Sequence, residues 1–278
     1  MQDLVDRRIL ITGANTGIGR ATAEALAARG AEIIIATRSE EKTRPVLEAI
    51  AASGGRARFV ALDLGDLTSV RACAASLGDT PLHVIIANAG LAGSKGITAS
   101  GFELCFGTNH VGHYLLVRLL EANLRAGSAP GRPARVVVVS SRQHAKARGI
   151  DWEAVRQPTQ STTSLLEYGV SKLANALFAK EIARLWGPAV VAVSLHPGVI
   201  ASDIWRKVPR PLRWLMTRFM KSVEEGAATS IHCATAPDIE AGAYYDNCKV
   251  VTPSGPARDE ALAAELWRRS AAWVDLPA

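Results

Sequence analysis

The stretch Thr12-Gly13-Ala14-Asn15-Thr16-Gly17-Ile18-Gly19 follows a short β-branched run, Arg8–Thr12, and opens a segment, Ile18–Arg29, whose alanines and Leu26 recur at helical spacing. Strand, glycine turn and helix in that order form a place where a backbone can approach a phosphate closely. The helix start adds free N–H groups and the positive end of its dipole. The spacing is G-x-x-x-G-x-G rather than the more general G-x-G-x-x-G. On position alone it reads as a phosphate cradle, against the alternative of a tight turn without a ligand.

Working outward, the same rhythm repeats. Glu32–Ala36 is a second strand-like run and Glu40–Ala52 a helix closed by Gly54-Gly55. Ala57–Leu62, Leu82–Ala87, Arg135–Val139 and Val190–Leu195 read as further strands. Leu67–Leu77, a long segment from Phe102 to Leu124, and Leu165–Trp186 read as helices. Continuous apolar strands alternating with helices imply a parallel sheet covered on both faces. No composition shift marks a linker, so the expectation is one α/β domain over residues 1–278.

Composition excludes several classes. Among 278 residues, 48% are apolar and 21% charged, too apolar for a disordered chain. The four cysteines, Cys73, Cys105, Cys233 and Cys248, are scattered with no C-x-x-C pair, which excludes a disulfide scaffold and a cysteine zinc site. The net charge of +6 is modest, and no nucleic-acid partner is expected. Asp3, Asp6, Arg7 and Arg8 break the N-terminus, so no signal segment is read, and the expected location is cytoplasmic. The signatures H-E-x-x-H, G-x-S-x-G and G-x-x-x-x-G-K are absent from the sequence.

Three further motifs stand in order behind the glycine turn: Asn88-Ala89-Gly90, Tyr168-x-x-x-Lys172 and Pro197-Gly198. With them the chain resembles the short-chain dehydrogenase/reductase family over nearly its whole length. The stretches Tyr168–Asn175 and Glu225–Cys233 are most similar to the retinol-dehydrogenase-like branch, whose membrane-bound members carry an N-terminal anchor not read here. The resemblance implies a Rossmann-type doubly wound sheet. It also implies a nicotinamide cofactor held by Gly13, Asn15, Thr16, Gly17, Ile18 and Gly19, by Asp63 and Leu64, by Asn88, Ala89 and Gly90, by Tyr168 and Lys172, and by Pro197, Gly198, Val199 and Ser202. Asp63 would contact the adenine amino group, with a turn or helix-cap aspartate as its competing reading. Asn88 is expected both to tie strands together and to serve the cofactor.

The second strand ends Ala36-Thr37-Arg38. An acidic residue at this strand end would accept from a ribose 2′-OH; here Arg38 offers a guanidinium to a 2′-phosphate instead. The expected cofactor is therefore NADP(H) rather than NAD(H).

Tyr168 and Lys172 lie four apart on a helix and share one face. A nearby cation favours the phenolate, so Lys172 is expected to lower the Tyr168 pKa and fit it to proton transfer. Tyr114-x-x-x-Arg118 has the same spacing and reads as a packing tyrosine with a surface arginine. Ser140 and Ser141 end the fifth strand, where ligands approach a parallel sheet. Successive strand residues point to opposite faces, so one of the two can serve the site; alignment through the family favours Ser141, to polarise a carbonyl oxygen. Asn109 is expected, by resemblance, to bend its helix and hold a water linking Lys172 to solvent, against a buried asparagine satisfied by backbone. His110 and His113 read as packing histidines, and no metal is expected.

Ser141 and Tyr168 are separated by 26 residues; Trp152 and Pro158–Ser164 are expected in a surface excursion beside the site. Ile204–Lys221 holds six cations and no acid, interleaved with Trp205, Trp214, Met216 and Phe219. Residues 203–221 are read as a substrate lid for a bulky apolar molecule (retinoid-, steroid- or polyketide-like), with contact to a membrane surface or an anionic group as other uses of its charge. The expected function is an oxidoreductase interconverting a carbonyl and an alcohol on a small-molecule substrate, as a homodimer or homotetramer. The alternatives are a non-catalytic dinucleotide-binding sensor or docking protein, and a basic membrane- or nucleic-acid-binding module.

Overall fold

The computed structural model describes residues 2–198 and 222–278. Val199, Ser202 and the lid residues Trp205, Trp214, Met216 and Phe219 lie outside the described residues, as does all of 203–221.

The strand-like runs pair into one sheet. Strands β1 (Arg8–Thr12), β2 (Glu32–Thr37), β3 (Arg56–Ala61), β4 (Val84–Ala87), β5 (Ala134–Val139), β6 (Val190–His196), β7 (Tyr244–Asp246) and β8 (Lys249–Val250) stand in the order β3-β2-β1-β4-β5-β6-β7-β8. Every pairing is parallel except β7 with β8. The chain winds outward from β1 in one direction and from β4 in the other. The switch between β1 and β4 opens a crevice at the carboxyl ends of the strands.

Side-chain alternation divides the core into two layers. Leu10, Ile34, Ile85, Val136 and Val138 face one layer; Ile9, Ile11, Ile33, Ile35, Val84, Ile86 and Val137 face the other. Helices α1 (Gly17–Ala28) and α2 (Glu40–Ala52) cover the second layer. Helix α3 (Leu67–Ser76) and the 22-residue α7 (Leu165–Trp186) cover the first.

The segment expected as one long helix is broken. It runs as α4 (Leu104–Phe106), a π-helical turn (Gly107–Val111), α5 (Gly112–Leu119) and α6 (Glu121–Ala126). The wide turn falls where two glycines and polar Thr108, Asn109 and His110 weaken the regular helix. A Cβ at Gly112 would stand 2.2 Å from the Leu64 carbonyl oxygen, so only glycine lets this helix lie so close to the third strand's exit.

The C-terminal third adds α8 (Val223–Thr235), α9 (Gly255–Arg258) and α10 (Glu260–Trp273). Helix α8 begins on a capping box between Ser222 and Glu225 and joins the second core layer through Cys233 and Ala234. Helix α10 lays Trp267 against Tyr114, Phe178 and Trp186. No described helix is long and apolar enough to cross a membrane.

Candidate active site

The turn after β1 carries the sequence's strongest phosphate signal, and its construction fits a phosphate. Helix α1 has Thr16 as its N-cap in extended conformation, with no side-chain hydrogen bond and no acidic residue in its first turn. By contrast, α2, α3, α8 and α10 are capped by Ser39, Asp66, Ser222 and Asp259. The dipole end of α1 is left for an anion. Gly17 has φ +56°, and a Cβ there would meet nothing within 4 Å, so the turn opens onto free space. A Cβ at Gly19 would lie 2.5 Å from Asn88 Nδ2 and 2.7 Å from the Gly13 carbonyl oxygen; the helix start is packed against the β4 exit. These residues fit the diphosphate of a dinucleotide, with Asn15, Thr16 and Ile18 completing the turn.

Asn88 holds the crevice together. Its Nδ2 donates to the Thr12 carbonyl at 2.8 Å, and its backbone N–H donates to Thr12 Oγ1 at 3.0 Å, as does that of Ala89. Behind Thr12 stands His113. Its Nδ1 bonds the Asn109 carbonyl at 2.9 Å and its Nε2 lies 2.8 Å from Thr12 Oγ1. A carbonyl can only accept, so Nδ1 carries the proton and Nε2 accepts from the threonine. Burial pushes His113 down to about 4, which keeps it neutral. His110, bonded to Ser270 Oγ at 3.0 Å, is pushed down to about 3 by the same cause. Both histidines are structural, one linking the glycine turn to the π-turn and the other linking it to α10.

Arg38 is exposed just beyond β2 and has no ion pair among the described residues. Thr37, in contrast, is buried with its hydroxyl 2.6 Å from Thr43 Oγ1. Asp63 is a turn aspartate: its Oδ1 accepts from Gly65 N at 2.9 Å, and Leu64 beside it is buried. The N-cap of α3 is Asp66 instead.

Ser140 and Ser141 diverge as strand alternation requires. Ser140 Oγ donates to the Lys172 carbonyl at 2.7 Å, fixing β5 to α7. Ser141 Oγ faces Tyr168, where its hydrogen bonding works to lower the phenol pKa. Lys172 is fully buried at its head group; Nζ donates to the Val139 carbonyl at 2.9 Å and lies 5.6 Å from the Tyr168 ring centre. A Cβ at Gly90 would be 3.3 Å from Nζ and 3.4 Å from Asn109 Oδ1, so the Asn88-Ala89-Gly90 turn abuts this cluster. Pro197 and Gly198 follow directly on β6, the neighbour of β5.

One expectation is corrected in detail. The Tyr168 pKa is raised, not lowered: burial outweighs the Ser141 hydrogen bond, and the Cys105 thiol adds to the rise. Lys172 itself is pushed down to about 8 by burial. Spacing brings the cation near the phenol, but it does not show the burial, which is nearly complete for Lys172 and partial for Tyr168. Asn109 sits in the π-turn with its side chain hydrogen-bonded to Leu91 and Ser171. Oδ1 accepts from Leu91 N at 2.7 Å, and Nδ2 donates to the Leu91 carbonyl at 3.0 Å and to Ser171 Oγ at 2.9 Å. Ser171 Oγ in turn donates to the Tyr168 carbonyl at 2.8 Å.

The excursion between Ser141 and Tyr168 is tightly tied down. Thr159 Oγ1 donates to Glu103 Oε1 at 2.5 Å, Glu103 N donates to the Val155 carbonyl at 2.9 Å, and Glu167 collects the N–H groups of Gln160 and Ser161. Trp152 packs on Trp273 of α10. Sequence reasoning missed His144, three residues after Ser141. It is buried, with Nδ1 2.7 Å from the Ser141 carbonyl. Its nearness in sequence to Ser141 was the available signal.

A doubly wound sheet with a phosphate turn at its switch point and a Ser, Tyr and Lys cluster beside it defines a nicotinamide-dependent oxidoreductase. A sequence model of the short chain dehydrogenase family matches residues 7–212. The chain is 40% identical over 281 residues to retinol dehydrogenase 11 from Homo sapiens, covering 97% of this chain and 86% of the relative. To retinol dehydrogenase 12 from Mus musculus it is 42% identical over 276 residues, covering 94% and 84%. Among solved structures, an uncharacterized protein from Mycobacterium paratuberculosis is similar with TM-score 0.78 and 31% identity, covering 99% of this chain and 96% of that one. A Pseudomonas aeruginosa RhlG/NADP complex is similar with TM-score 0.70 and 25% identity, covering 87% and 95%. The chain belongs to the short-chain dehydrogenase family, in its retinol-dehydrogenase-like branch.

Proposed function

We propose that this oxidoreductase uses NADP(H) to reduce bulky, apolar carbonyl compounds, with Tyr168 as the proton donor. The observation that carries the reading is the convergence of Ser141, Tyr168 and Lys172 at the carboxyl end of β5, against the Gly90 turn. A bound reduced nicotinamide supplies the hydride for the carbonyl carbon. Tyr168 donates its phenol proton to the carbonyl oxygen, and its raised pKa keeps that proton in place at neutral pH. Ser141 donates a hydrogen bond to the same oxygen, placed where negative charge develops. Lys172 orients the cofactor ribose and restores the tyrosine's proton. Asn109 holds the π-turn against Leu91 and Ser171, which keeps the Tyr168 helix in register with the turn.

Arg38 favours the 2′-phosphate, because an exposed guanidinium without an ion pair among the described residues stands where an acid would exclude it. The NADP in the Pseudomonas relative supports the same choice. The names of the retinol dehydrogenase relatives and the tryptophans of residues 203–221 support a large apolar substrate. The test is cofactor oxidation with NADPH and NADH against all-trans-retinal, decanal, cyclohexanone and butanone. The expected result is turnover of the large apolar carbonyls with NADPH; cofactor binding without turnover of any of them would overturn the reading. Arg38→Ala should raise the NADPH Michaelis constant about 10–150-fold, the equivalent of a 1.5–3 kcal/mol charged hydrogen bond, and leave that for NADH nearly unchanged. Equal changes for both cofactors would remove Arg38 from the phosphate.

A further inference from the structure

The serine at the end of β5 is held from behind by a part of the chain far away in sequence. Ser141 begins a short 3-10 turn, Arg142–Lys146, as its N-cap. Its carbonyl receives two bonds from the same residue, His144: one from the backbone N–H at 3.0 Å and one from ring Nδ1 at 2.7 Å. The other ring nitrogen, Nε2, accepts from the backbone N–H of Ser254 at 3.2 Å. A carbonyl can only accept and a backbone N–H can only donate, so the ring is held as the neutral Nδ1–H tautomer by both neighbours. The imidazole is 4% exposed and lies 4.8 Å, centre to centre, from the ring of Tyr244 on β7. The same turn is tied to β7 a second time, by Arg142 Nε to Asp246 Oδ2 at 2.7 Å.

The consequence for Ser141 is geometric. With its carbonyl anchored, the residue's backbone orientation is set and its Oγ is aimed at Tyr168. Oγ accepts a 3.3 Å bond from Gln143 N and keeps its own proton for the Tyr168 side, where its hydrogen bond to the phenol lies. We propose that His144 is a positioning residue for Ser141, locking the serine's carbonyl through Nδ1–H and fastening the serine turn to the C-terminal segment through Nε2. This rests on the reading of Ser141 as the group that binds the carbonyl oxygen. A reacting group displaced by about 1 Å loses on the order of 10²-fold in rate, so an anchor of this kind acts on turnover rather than on cofactor binding.

The test uses the full-length protein, NADPH and whichever of all-trans-retinal, decanal or cyclohexanone is reduced fastest. Three substitutions separate the two ends of the ring. His144→Asn places an amide N–H near the Nδ1 position; His144→Gln places an amide near Nε2; His144→Phe keeps the ring packed on Tyr244 and removes both bonds. The expected result is a kcat for His144→Phe and His144→Gln lowered roughly 10–100-fold. His144→Asn should recover most of that loss. The NADPH dissociation constant, read by fluorescence, should stay unchanged in all three, which a general loss of structure would not allow. Ser141→Ala should lower kcat by about 10²–10³-fold, and adding His144→Phe to it should cost little more. Loss with Ser141→Ala but wild-type kcat with His144→Phe overturns the positioning role alone, as does equal loss in Asn, Gln and Phe. Wild-type kcat with Ser141→Ala overturns the role of Ser141 and the positioning role with it.

Discussion

The chain contains two tyrosines four residues ahead of a cation on a helix, and the structure gives them opposite surroundings. Tyr114 is fully buried, donates to the Trp267 carbonyl at 3.2 Å and accepts from Arg118 Nη1 at 2.5 Å. Arg118 is not a plain surface residue; it is half-buried with its guanidinium 4.6 Å over the Trp267 ring. Both hydrogen-bonding directions of the Tyr114 hydroxyl are spent inside the protein, and burial holds its pKa up at about 12. Tyr168 faces Ser141 Oγ at the carboxyl end of the sheet, with Lys172 bonded to the end of β5. Spacing brings a cation to a tyrosine in both places. Only the strand end that each helix packs against decides whether the hydroxyl meets a ligand crevice or an aromatic core.

Removing the cations should separate the two pairs most. Lys172→Met should lower kcat/KM by about 10–150-fold, the rate equivalent of losing a 1.5–3 kcal/mol charged hydrogen bond, whereas Arg118→Met should leave it near wild type. Steady-state kinetics of the two variants decide this, and similar losses in both would erase the contrast.

The dryness of the Tyr114 side makes a pH prediction. Burial pushes His110, its ring centre 6.1 Å from that of Tyr114, down to about 3 from an ordinary 6.5. The unfolded chain therefore binds a proton between those values that the folded chain refuses. The stability is complete above pH 6.5 and is lost as pH falls toward 3, by about 1 kcal/mol per unit for this residue. Urea unfolding of His110→Gln between pH 4 and 6 (roughly the steep part of the window) should show a shallower dependence than wild type; an unchanged slope would place His110 in contact with water.

The smallest effect should come from Tyr114→Phe. It removes a hydroxyl bonded at both ends and should cost about 1 kcal/mol of stability, read by denaturant midpoint, with kcat unaltered. A fall in kcat comparable to that of a site residue would put Tyr114 into the chemistry.

Much of the fold is legible in the sequence, because buried parallel strands are unbroken β-branched runs. Ile33-Ile34-Ile35 and Val136-Val137-Val138 have no polar partner to disguise them. Strands β7 and β8 were not legible, since three and two residues are too short to display a period. Helix α10 is rich in alanine, glutamate and arginine, and only the tertiary packing of Trp267 and Leu266 reveals its buried face. Within the candidate site, the glycine turn, the Asn88 turn and the shared face of Tyr168 and Lys172 are legible from local rules. Two things are not. The sign of the Tyr168 shift depends on burial supplied by distant segments, and the hold on Ser141 depends on Ser254, more than a hundred residues away.

Single-turnover reduction in the forward direction, with enzyme in excess and NADPH bound, measures the chemical step apart from product release, and it addresses the tyrosine contrast directly. Tyr168→Phe keeps the ring and removes only the acidic hydroxyl, so the single-turnover rate should fall by about 10²–10⁴-fold with NADPH affinity unchanged, while Tyr114→Phe proceeds at the wild-type rate. A Tyr168→Phe rate within a few-fold of wild type, or a loss shared equally by Tyr114→Phe, would contradict the assignment of Tyr168 as the proton donor.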